Sequence, residues 1–577
     1  MRKSVILLVL MLLSVSSFAR TTKSGFIPLT LEGVIKDEVQ VNPFSDRHYR
    51  SLRAILKLIN KANSDKSVKG MVLTLKSPII GLAKISELRT AFESFKKKGK
   101  KIYVYSETLS KSDYYLASVA DKVYLSPQGG LDISGISIEL VFLKNTFNLL
   151  GINPNFHQVG NYKSASEMFT RSESSKYQRD SLNFLLDGIF NDFLLGVASG
   201  RKIAPARMRK LVDQGVFTTE EARKAGLIDD ALYEDQFEAF IEKEGGILSQ
   251  YKPKLNKKKK KLNFFQVLSL LSKKPVKTST VPKIAIIFME GSIISGRSER
   301  SLFGGEQSIG SEDFIEVIRK VKNDKLIKAV ILRINSPGGS ALASDILWRE
   351  ISLLAEAKPV IASMSDMAAS GGYYIAMACP TIVANPLTIT GSIGVVGGKF
   401  NMKGLYDKLG LKKEIFKRGK HADLFTDYRD FSPSESLLIA KQMKETYKVF
   451  VSKAAKSRKM SYANMNKLAQ GKVYTGTQAV KVGLVDHLGG IEVAIALTKK
   501  KLGNNNLEIV TYPEARSFME LLGSNIQLKA EYKSELMSEV DRMGGVMKPL
   551  LAYLKYARLI YSRERVATLA PFYFEVK

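Results

Sequence analysis

Ser370 stands in the stretch "MAASGGYYIA" (367–376), directly before two glycines and two tyrosines. A serine hydroxyl on a tight turn can attack a carbonyl carbon, provided that a nearby base takes its proton. No histidine stands beside Ser370 to act as that base. The same stretch is also typical of a small residue at which a helix packs closely. The local sequence therefore leaves two interpretations open, a nucleophile or a packing position, and any base must come from elsewhere in the chain.

The chain contains an internal repeat with a nearly constant offset. The stretch "VKGMVLTLKSP" (68–78) matches "IKAVILRINSP" (327–337), which begins 259 positions later. The same offset aligns "YYLA" (114–117) with "YYIA" (373–376), and later matches continue at an offset of 257. Two homologous domains therefore follow one another along the chain.

The two copies differ at the residues that could do chemistry. At the 259 offset Ser370 falls on Lys111, so the first copy lacks the serine. The two glycines of "NSPGGS" (335–340) also have no counterpart in the first copy. A diglycine after a strand lets backbone N–H groups approach a ligand closely, which an oxyanion hole requires. Gly339, and Gly371 directly after the serine, are therefore the candidate oxyanion donors.

The base that Ser370 needs is predicted to be a lysine of the first copy. The four histidines lie in no motif that indicates a catalytic triad. A lysine can replace histidine when burial lowers its pKa toward the working pH. Lys163, in the polar stretch "QVGNYKSASEMFTRSESS" (158–175), aligns with Ala422 of the second copy. Taken alone Lys163 would be read as a surface charge, so this prediction depends on the complementarity of the two copies.

Each copy alternates strand-like and helix-like segments. Short β-branched runs such as "KAVILRIN" and "PVIASMS" indicate buried parallel strands, and "SDILWREISLLAEA" between them has a helical pattern. This alternation predicts α/β domains with crossover helices. The predicted organisation is a leader at 1–19, an N-terminal domain at 25–250, a basic linker at 251–282, a C-terminal domain at 283–503 and a helical extension at 504–577.

The charge and the N-terminus favour a membrane over a nucleic acid as partner. The 577 residues carry a net charge of +32, which suits either of these anionic surfaces. Arg2 and Lys3 precede the apolar run "VILLVLMLLSVSSFA", which ends in small residues at Ser17 and Ala19. This pattern is typical of an export signal, and both cleavage after Ala19 and retention as an anchor stay open. We therefore expect a membrane surface and no nucleic acid among the partners.

The basic linker has two possible interpretations. Five lysines, Lys257 to Lys261, precede the apolar segment "LNFFQVLSLL". The pattern is compatible with a helix on a membrane surface. A solvated tether is the favoured interpretation, because runs of like charge usually only hold a segment in water.

Four motifs together resemble one protein family. The stretches "NSPGG", "DMAASGGYYIA", "ANPLTITGSIGVVGG" and "GNYKSA" are similar to motifs of the long, tandem form of signal peptide peptidase A, a membrane-associated bacterial serine protease. The resemblance covers residues 25–503. It implies two tandem α/β domains of the Clp-protease/crotonase-like fold, with the catalytic lysine supplied by the N-terminal domain.

The resemblance also implies a role for each candidate site residue. Ser370 is expected to attack the peptide carbonyl, with Lys163 as general base and Ser392, in "TGSIG", as the hydroxyl that hydrogen-bonds the lysine. Gly339 and Gly371 fall where the family has its oxyanion N–H groups. Serine–lysine chemistry of this kind needs no metal and no other cofactor.

A substrate, an assembly and a location follow from the same resemblance. The family degrades signal peptides that remain after export, together with other apolar peptides. Its long form assembles as a homotetramer. The expected location is the bacterial inner membrane, with the catalytic domains on the periplasmic side.

Two functions of other classes stay open. A crotonase-type acyl-CoA enzyme would use the same fold and oxyanion glycines, but it would need a carboxylate base and a cytosolic cofactor. A non-catalytic membrane scaffold would be expected to have lost Ser370 or Lys163, and both are present. Hydrolysis of a fluorogenic apolar peptide would separate all three functions.

Overall fold

The computed structural model describes residues 24–38, 49–248, 251, 280–298, 308–514 and 566–569. The leader at 1–19 and the lysine run of the linker lie outside the described residues. The helices predicted in the extension after residue 503 also fall there.

The N-terminal repeat is built on a mostly parallel sheet with helices around it. Its strands are β1 (Gly25–Lys36), β2 (Tyr49–Ser51), β3 (Val68–Ile79), β4 (Lys101–Leu109), β5 (Lys122–Asp132), β6 (Asn153–Val159), β7 (Val216–Thr218) and β8 (Asp230–Ala231). Its helices are α1 (Leu52–Ser64), α2 (Leu82–Lys97), α3 (Lys111–Ala117), α4 (Lys144–Leu150), α5 (Glu167–Thr170), α6 (Lys176–Arg201), α7 (Pro205–Gln214), α8 (Thr219–Lys224) and α9 (Glu234–Glu244). The strand order is β2-β1-β3-β4-β5-β7, with β8 beside β5 and β7 antiparallel to it.

The C-terminal repeat has the same plan. Its strands are β9 (Lys283–Glu290), β10 (Ser292–Ile294), β11 (Ser308–Gly310), β12 (Ile327–Ser336), β13 (Gly338–Ser340), β14 (Val360–Ala369), β15 (Thr381–Ala384), β16 (Ile389–Gly391), β17 (Val395–Asn401), β18 (Val473–Thr475), β19 (His487–Leu488) and β20 (Glu508–Tyr512), followed by β21 (Val566–Leu569). Its helices are α10 (Ser311–Asn323), α11 (Ala341–Ala357), α12 (Gly371–Ala376), α13 (Lys403–Lys408), α14 (Pro433–Ser457), α15 (Tyr462–Leu468), α16 (Gly476–Lys481) and α17 (Ile491–Leu502). The strand order is β18-β16-β14-β12-β9-β20, with β15 between β14 and β19.

The predicted α/β class is confirmed. The runs predicted as strands lie in β12 and β14, which pair in parallel, and the helical pattern lies in the crossover helix α11. Ser340 caps that helix, because its side chain accepts the backbone N–H of Ala343. The sheet also extends past residue 503, because β20 pairs in parallel with β9.

A third sheet joins the two repeats. Its order is β11-β10-β13-β21-β17-β6, so it contains one strand of the N-terminal repeat. β6 runs antiparallel to β17, with Val159 opposite Val395 at one end and Asn153 opposite Asn401 at the other. The chain that follows β6 is thereby held against the C-terminal repeat.

The repeats also share apolar and charged contacts. The core around α1 and α2 continues into the C-terminal sheet, where it includes Ile284, Ile331 and Ile361. Arg333 is fully buried at this boundary, 2.7 Å from the carboxylates of Asp37 and Glu87 of the N-terminal repeat. Burial would lower the pKa of Arg333, but these two carboxylates outweigh it and raise the pKa. The two repeats are therefore packed in one fixed relation.

Candidate active site

Ser370 lies on a strained turn between β14 and α12. Its backbone has φ 54° and ψ −112°, a region that residues with a Cβ seldom occupy. The turn is held because the Ser370 N–H donates to the Gly391 carbonyl at 2.8 Å. Strain of this kind persists where the surrounding structure over-determines the backbone, as at active sites.

The close packing suggested by the sequence is also present, two residues later, at Gly372. A Cβ on Gly372 would lie 2.7 Å from the Ser336 carbonyl oxygen, so α12 begins in contact with the end of β12. The packing interpretation of "ASGG" therefore applies to Gly372, and the interpretation of Ser370 as a nucleophile stays a prediction. The contact also brings the start of α12 beside the diglycine that follows Ser336.

Lys163 reaches Ser370 from the other repeat. It follows β6, just before a 3-10 turn (Ser164–Ser166), and its side chain is fully buried. Its Nζ lies 2.7 Å from Ser370 Oγ, 2.9 Å from Ser392 Oγ and 2.9 Å from the Ser392 carbonyl oxygen. Lys163 and Ser370 thus meet across 207 positions of chain, and Ser392 lies beside the same amine.

The environment of Lys163 favours its uncharged form. Burial lowers the pKa of Lys163 well below its usual value, and desolvation is the one cause of that shift. A neutral amine has two N–H groups and one lone pair. It can therefore donate to both Ser392 oxygens and still accept the hydroxyl proton of Ser370.

An aromatic cluster anchors the segment that carries Lys163. Phe156 and Phe169 of the N-terminal repeat pack against Phe400 of β17, with ring centroids 5.1 and 5.5 Å from it. Phe147 joins them at 5.6 Å from the same ring. Fully burying one such side chain contributes about 2 kcal/mol, so the cluster resists withdrawal of the lysine.

The loop at 470–472 was missed by the sequence analysis. A Cβ on Gly471 would lie 2.5 Å from the Lys163 backbone nitrogen, and the φ of Gly471 is 81°. Glycine is therefore required where this loop crosses the lysine. The Lys472 carbonyl also accepts the Ser392 N–H at 2.6 Å. A glycine at this contact has no local sequence signal, since its neighbour is hundreds of positions away.

The two candidate oxyanion glycines lie on adjoining elements. Gly339 is buried in β13, where a Cβ would lie 2.0 Å from the Ile293 carbonyl oxygen. Gly371 is the first residue of α12, directly after Ser370. Because glycine has no side chain, a ligand can approach the backbone N–H closely at each of these two positions.

The residues that align with the dyad do not form a second one. Lys111, the counterpart of Ser370, begins α3, and its Nζ lies 3.4 Å from Ser134 Oγ. The histidines have other contacts: His157 lies 3.0 Å from Ser436 Oγ, and His421 lies 3.6 Å from Glu435. Within the residues that the structure describes, no group of histidine, cysteine and carboxylate side chains is arranged to hold a metal ion.

Three relatives show how far the similarity extends. "Serine protease SPPA, chloroplastic" of Arabidopsis thaliana is 38% identical over 84% of this chain and 70% of that protein. "Protease 4" of Haemophilus influenzae is 31% identical over 84% of this chain and 82% of its own length. "Putative signal peptide peptidase SppA" of Enterococcus faecium is 32% identical over 47% of this chain and 81% of its length.

A family profile matches the chain twice. Peptidase family S49 matches residues 94–247 and 352–505, two segments that begin 258 positions apart, in agreement with the internal repeat. The fold and these matches define a serine protease built from two tandem α/β domains. The chain belongs to Peptidase family S49, in the tandem arrangement expected from the resemblance. Among solved structures, ClpP1 from Listeria monocytogenes has a TM-score of 0.23 at 15% identity, over 35% of this chain and 89% of that chain, and this likeness carries no part of the assignment.

Proposed function

We propose that this protease cleaves peptide bonds with Ser370 as nucleophile and Lys163 as general base. The observation that carries the proposal is the 2.7 Å contact between Lys163 Nζ and Ser370 Oγ, in a site where burial depresses the pKa of the amine. A neutral amine at that distance can take the hydroxyl proton while Oγ attacks a carbonyl carbon. A charged surface lysine could not.

The reaction then proceeds in two balanced halves. A bond forms between Ser370 Oγ and the carbonyl carbon, the peptide C–N bond breaks, and Lys163 returns its proton to the leaving amine. Water then attacks the acyl-enzyme, with Lys163 again as base, and releases the new carboxyl terminus. The N–H groups of Gly339 and Gly371 are suited to stabilise the oxyanion in each half.

The test of this function is hydrolysis of a fluorogenic apolar peptide by the purified full chain, with no metal or nucleotide added. Release of fluorophore is expected, with acylation of Ser370 visible by mass spectrometry. A protein that acts on an acyl-CoA thioester but leaves the peptide intact would support the crotonase alternative. A protein inert toward both would support the scaffold.

Ser392 is proposed to orient Lys163 by accepting a hydrogen bond from its amine. Replacing Ser392 by alanine removes the hydroxyl 2.9 Å from Nζ but leaves the carbonyl contact in place. We expect kcat/KM to fall several-fold, and up to about a hundredfold if the amine misaligns. The rising limb of the pH profile should move, if at all, to lower pH, because Ser392 Oγ accepts from Nζ and the loss of an acceptor disfavours the protonated amine.

A matched control for Ser392→Ala is Ser436→Ala, which removes a hydroxyl hydrogen-bonded to His157. This control should leave the pH profile where it is. Equal activities of Ser392→Ala and the wild type at every pH would remove Ser392 from the site.

The proposed substrates are signal peptides left after export and other apolar peptides, and the proposed location is the outer side of a bacterial inner membrane. The Enterococcus faecium relative is named for signal peptide peptidase activity, which supports the substrate class for that protein. The charged and apolar leader at 1–19 supports membrane attachment. One described helix, α6, is long and apolar enough to cross a membrane, but its buried side chains, Leu185 and Ile189 among them, pack in the core of the fold.

The proposed homotetramer is supported by the internal repeat itself. Within the chain β6 pairs with β17, and at the 259 offset these strands correspond to residues 412–418 and 136–142. Neither of these segments belongs to a sheet in the described chain. They are the two halves of an equivalent interface, and two copies of the chain placed head to tail can form it.

Exposed apolar side chains lie where this head-to-tail interface would bury them. Leu411 is 52% exposed, whereas its counterpart Ile152 is 9% exposed against the other repeat. Phe416 is 89% exposed, and by the same register it would lie opposite Ile138 of a neighbouring copy. Heterologous interfaces of this kind close into rings when the rotation permits.

Phe416→Asp is expected to convert the assembled protein into single chains. An aspartate would place a charge in the apolar centre of the proposed interface, where it has no partner. Light scattering after gel filtration measures the change, and Tyr462→Asp, at a 43% exposed position of α15, is the matched control. An unchanged mass for Phe416→Asp would place the assembly interface elsewhere.

A further inference from the structure

The C-terminal segment of the chain forms a strand inside the third sheet. β21 runs antiparallel to β13 on one side, with Thr568 opposite Gly339 and Leu569 opposite Gly338. It also runs antiparallel to β17 on the other side, with Ala567 opposite Val396. β13 and β17 otherwise pair outward, with β10 and β6 respectively. β21 is thus the strand that fills the gap between them.

This gap lies beside the proposed dyad. β13 contains Gly339, the proposed oxyanion donor, and β17 begins three residues after Ser392. A peptide that presents a carbonyl to Ser370 in extended form would add to these two edges, because strand addition is how a sheet edge holds a peptide backbone. β21 therefore takes the backbone positions that such a peptide needs.

The burial of the dyad leads to the same conclusion. Ser370 and Lys163 are both 0% exposed, yet a substrate carbonyl must come within bonding distance of Ser370 Oγ. The described chain is thus in a closed state with respect to peptides. An element must leave before hydrolysis, and β21, four residues long, is the one that occupies the peptide edges.

We propose that residues 566–569 are a tethered competitor of peptide substrates, which binds the strand gap of the active site and must be displaced before cleavage. This inference rests on the proposed function, because it takes the gap beside Ser370 as the place where peptides bind. Because residues 566–569 belong to the same chain as the gap, their effective concentration there exceeds that of a dilute peptide, so even a weakly bound strand excludes such peptides. Long or strongly β-forming apolar peptides would displace it, and short polar ones would not.

Proline substitutions in the full-length chain test the competition. Successive N–H groups of a strand point to opposite sides, so Ala567→Pro and Thr568→Pro each remove a donor toward a different neighbour. Both variants are expected to lower KM for the fluorogenic peptide by on the order of tenfold, with kcat unchanged. Thr568→Val, which keeps the N–H and the β-branched side chain, is the matched control and should behave as the wild type.

Adding the segment in trans provides a second readout. A synthetic peptide of residues 561–577 should inhibit Thr568→Pro competitively and should inhibit the wild type several-fold less, because the wild-type gap is already occupied. If both proline variants fold and assemble as the wild type but show an unchanged or raised KM, β21 is a permanent wall of the groove and the inference is wrong.

A binding measurement separates this inference from the proposed function. In a Ser370→Ala background the same reporter peptide, followed by fluorescence anisotropy, should bind about tenfold more tightly when Thr568→Pro is also present. If Thr568→Pro tightens binding but the wild type hydrolyses no peptide, the proposed chemistry is wrong and the competitor role of residues 566–569 is supported. If Thr568→Pro leaves binding unchanged and the wild type is active, the competitor role is wrong and the proposed function is supported.

Discussion

Ser370→Ala is expected to fold and assemble as the wild type and to hydrolyse peptides about a millionfold more slowly, which is the typical effect of losing the nucleophile of a catalytic unit. The methyl group leaves the buried pocket filled but provides no atom that can form the acyl-enzyme. Initial rates on the fluorogenic peptide measure the loss, and circular dichroism and gel filtration check the fold.

Two further serine variants make this prediction specific. Ser352→Ala removes a hydroxyl that donates to the Trp348 carbonyl within α11, so it should leave the rate unchanged. Ser370→Gly should be as inactive as Ser370→Ala but more stable, by about 1 kcal/mol, because glycine tolerates the φ of 54°. If Ser370→Ala kept more than about one per cent of wild-type activity, the nucleophile would be a different residue.

The candidate site could be predicted from the sequence because the chain contains an internal repeat whose two copies can be compared. Ser370 and Lys163 stand 207 positions apart, and neither has a decisive local motif. The sequence predicts that they pair, because Ser370 aligns with Lys111, which has no hydroxyl, and Lys163 aligns with Ala422, which has no amine. The repeat allows the two copies to be aligned, and the positions at which they differ indicate the candidate catalytic residues.

The elements that the sequence left out depend on long-range contacts. Four residues, "VATL", form β21 because two facing strand edges complete its hydrogen bonds, and nothing local distinguishes them from a loop. The same holds for Gly471, whose need for glycine comes from Lys163 in the other repeat. Continuous β-branched runs predicted β12 and β14, because the side chains of these strands are buried on both faces of the sheet.

Lys163→Arg and Lys163→Met are both expected to abolish hydrolysis, with losses of about ten-thousandfold or more. A guanidinium stays charged at any working pH and so cannot accept the Ser370 proton. A methionine fills a similar volume but has no basic nitrogen. Lys111→Met, the substitution at the position that aligns with Ser370 in the other repeat, is the control and should keep full activity. An active Lys163→Arg enzyme would rule out the lysine as base.

The depressed pKa of Lys163 also has a consequence for stability, which does not depend on catalysis. In the unfolded chain the amine is protonated up to a pH of about 10.4, whereas the folded chain holds it neutral from a much lower pH. Folding must therefore release a proton between the depressed folded pKa and the unfolded one. Across that window the wild type should gain up to about 1.4 kcal/mol of unfolding free energy per pH unit relative to Lys163→Met.

Lys163→Met should accordingly be the more stable protein at neutral pH, and its advantage should shrink as the pH rises and level off above about 10.4. Denaturant unfolding of both proteins over a pH series measures the difference. The isosteric loss of one buried hydrogen-bonded amine would by itself shift the curves by a constant amount. Parallel curves would mean that Lys163 folds with its proton on, and an ammonium with no lone pair could not serve Ser370 as base.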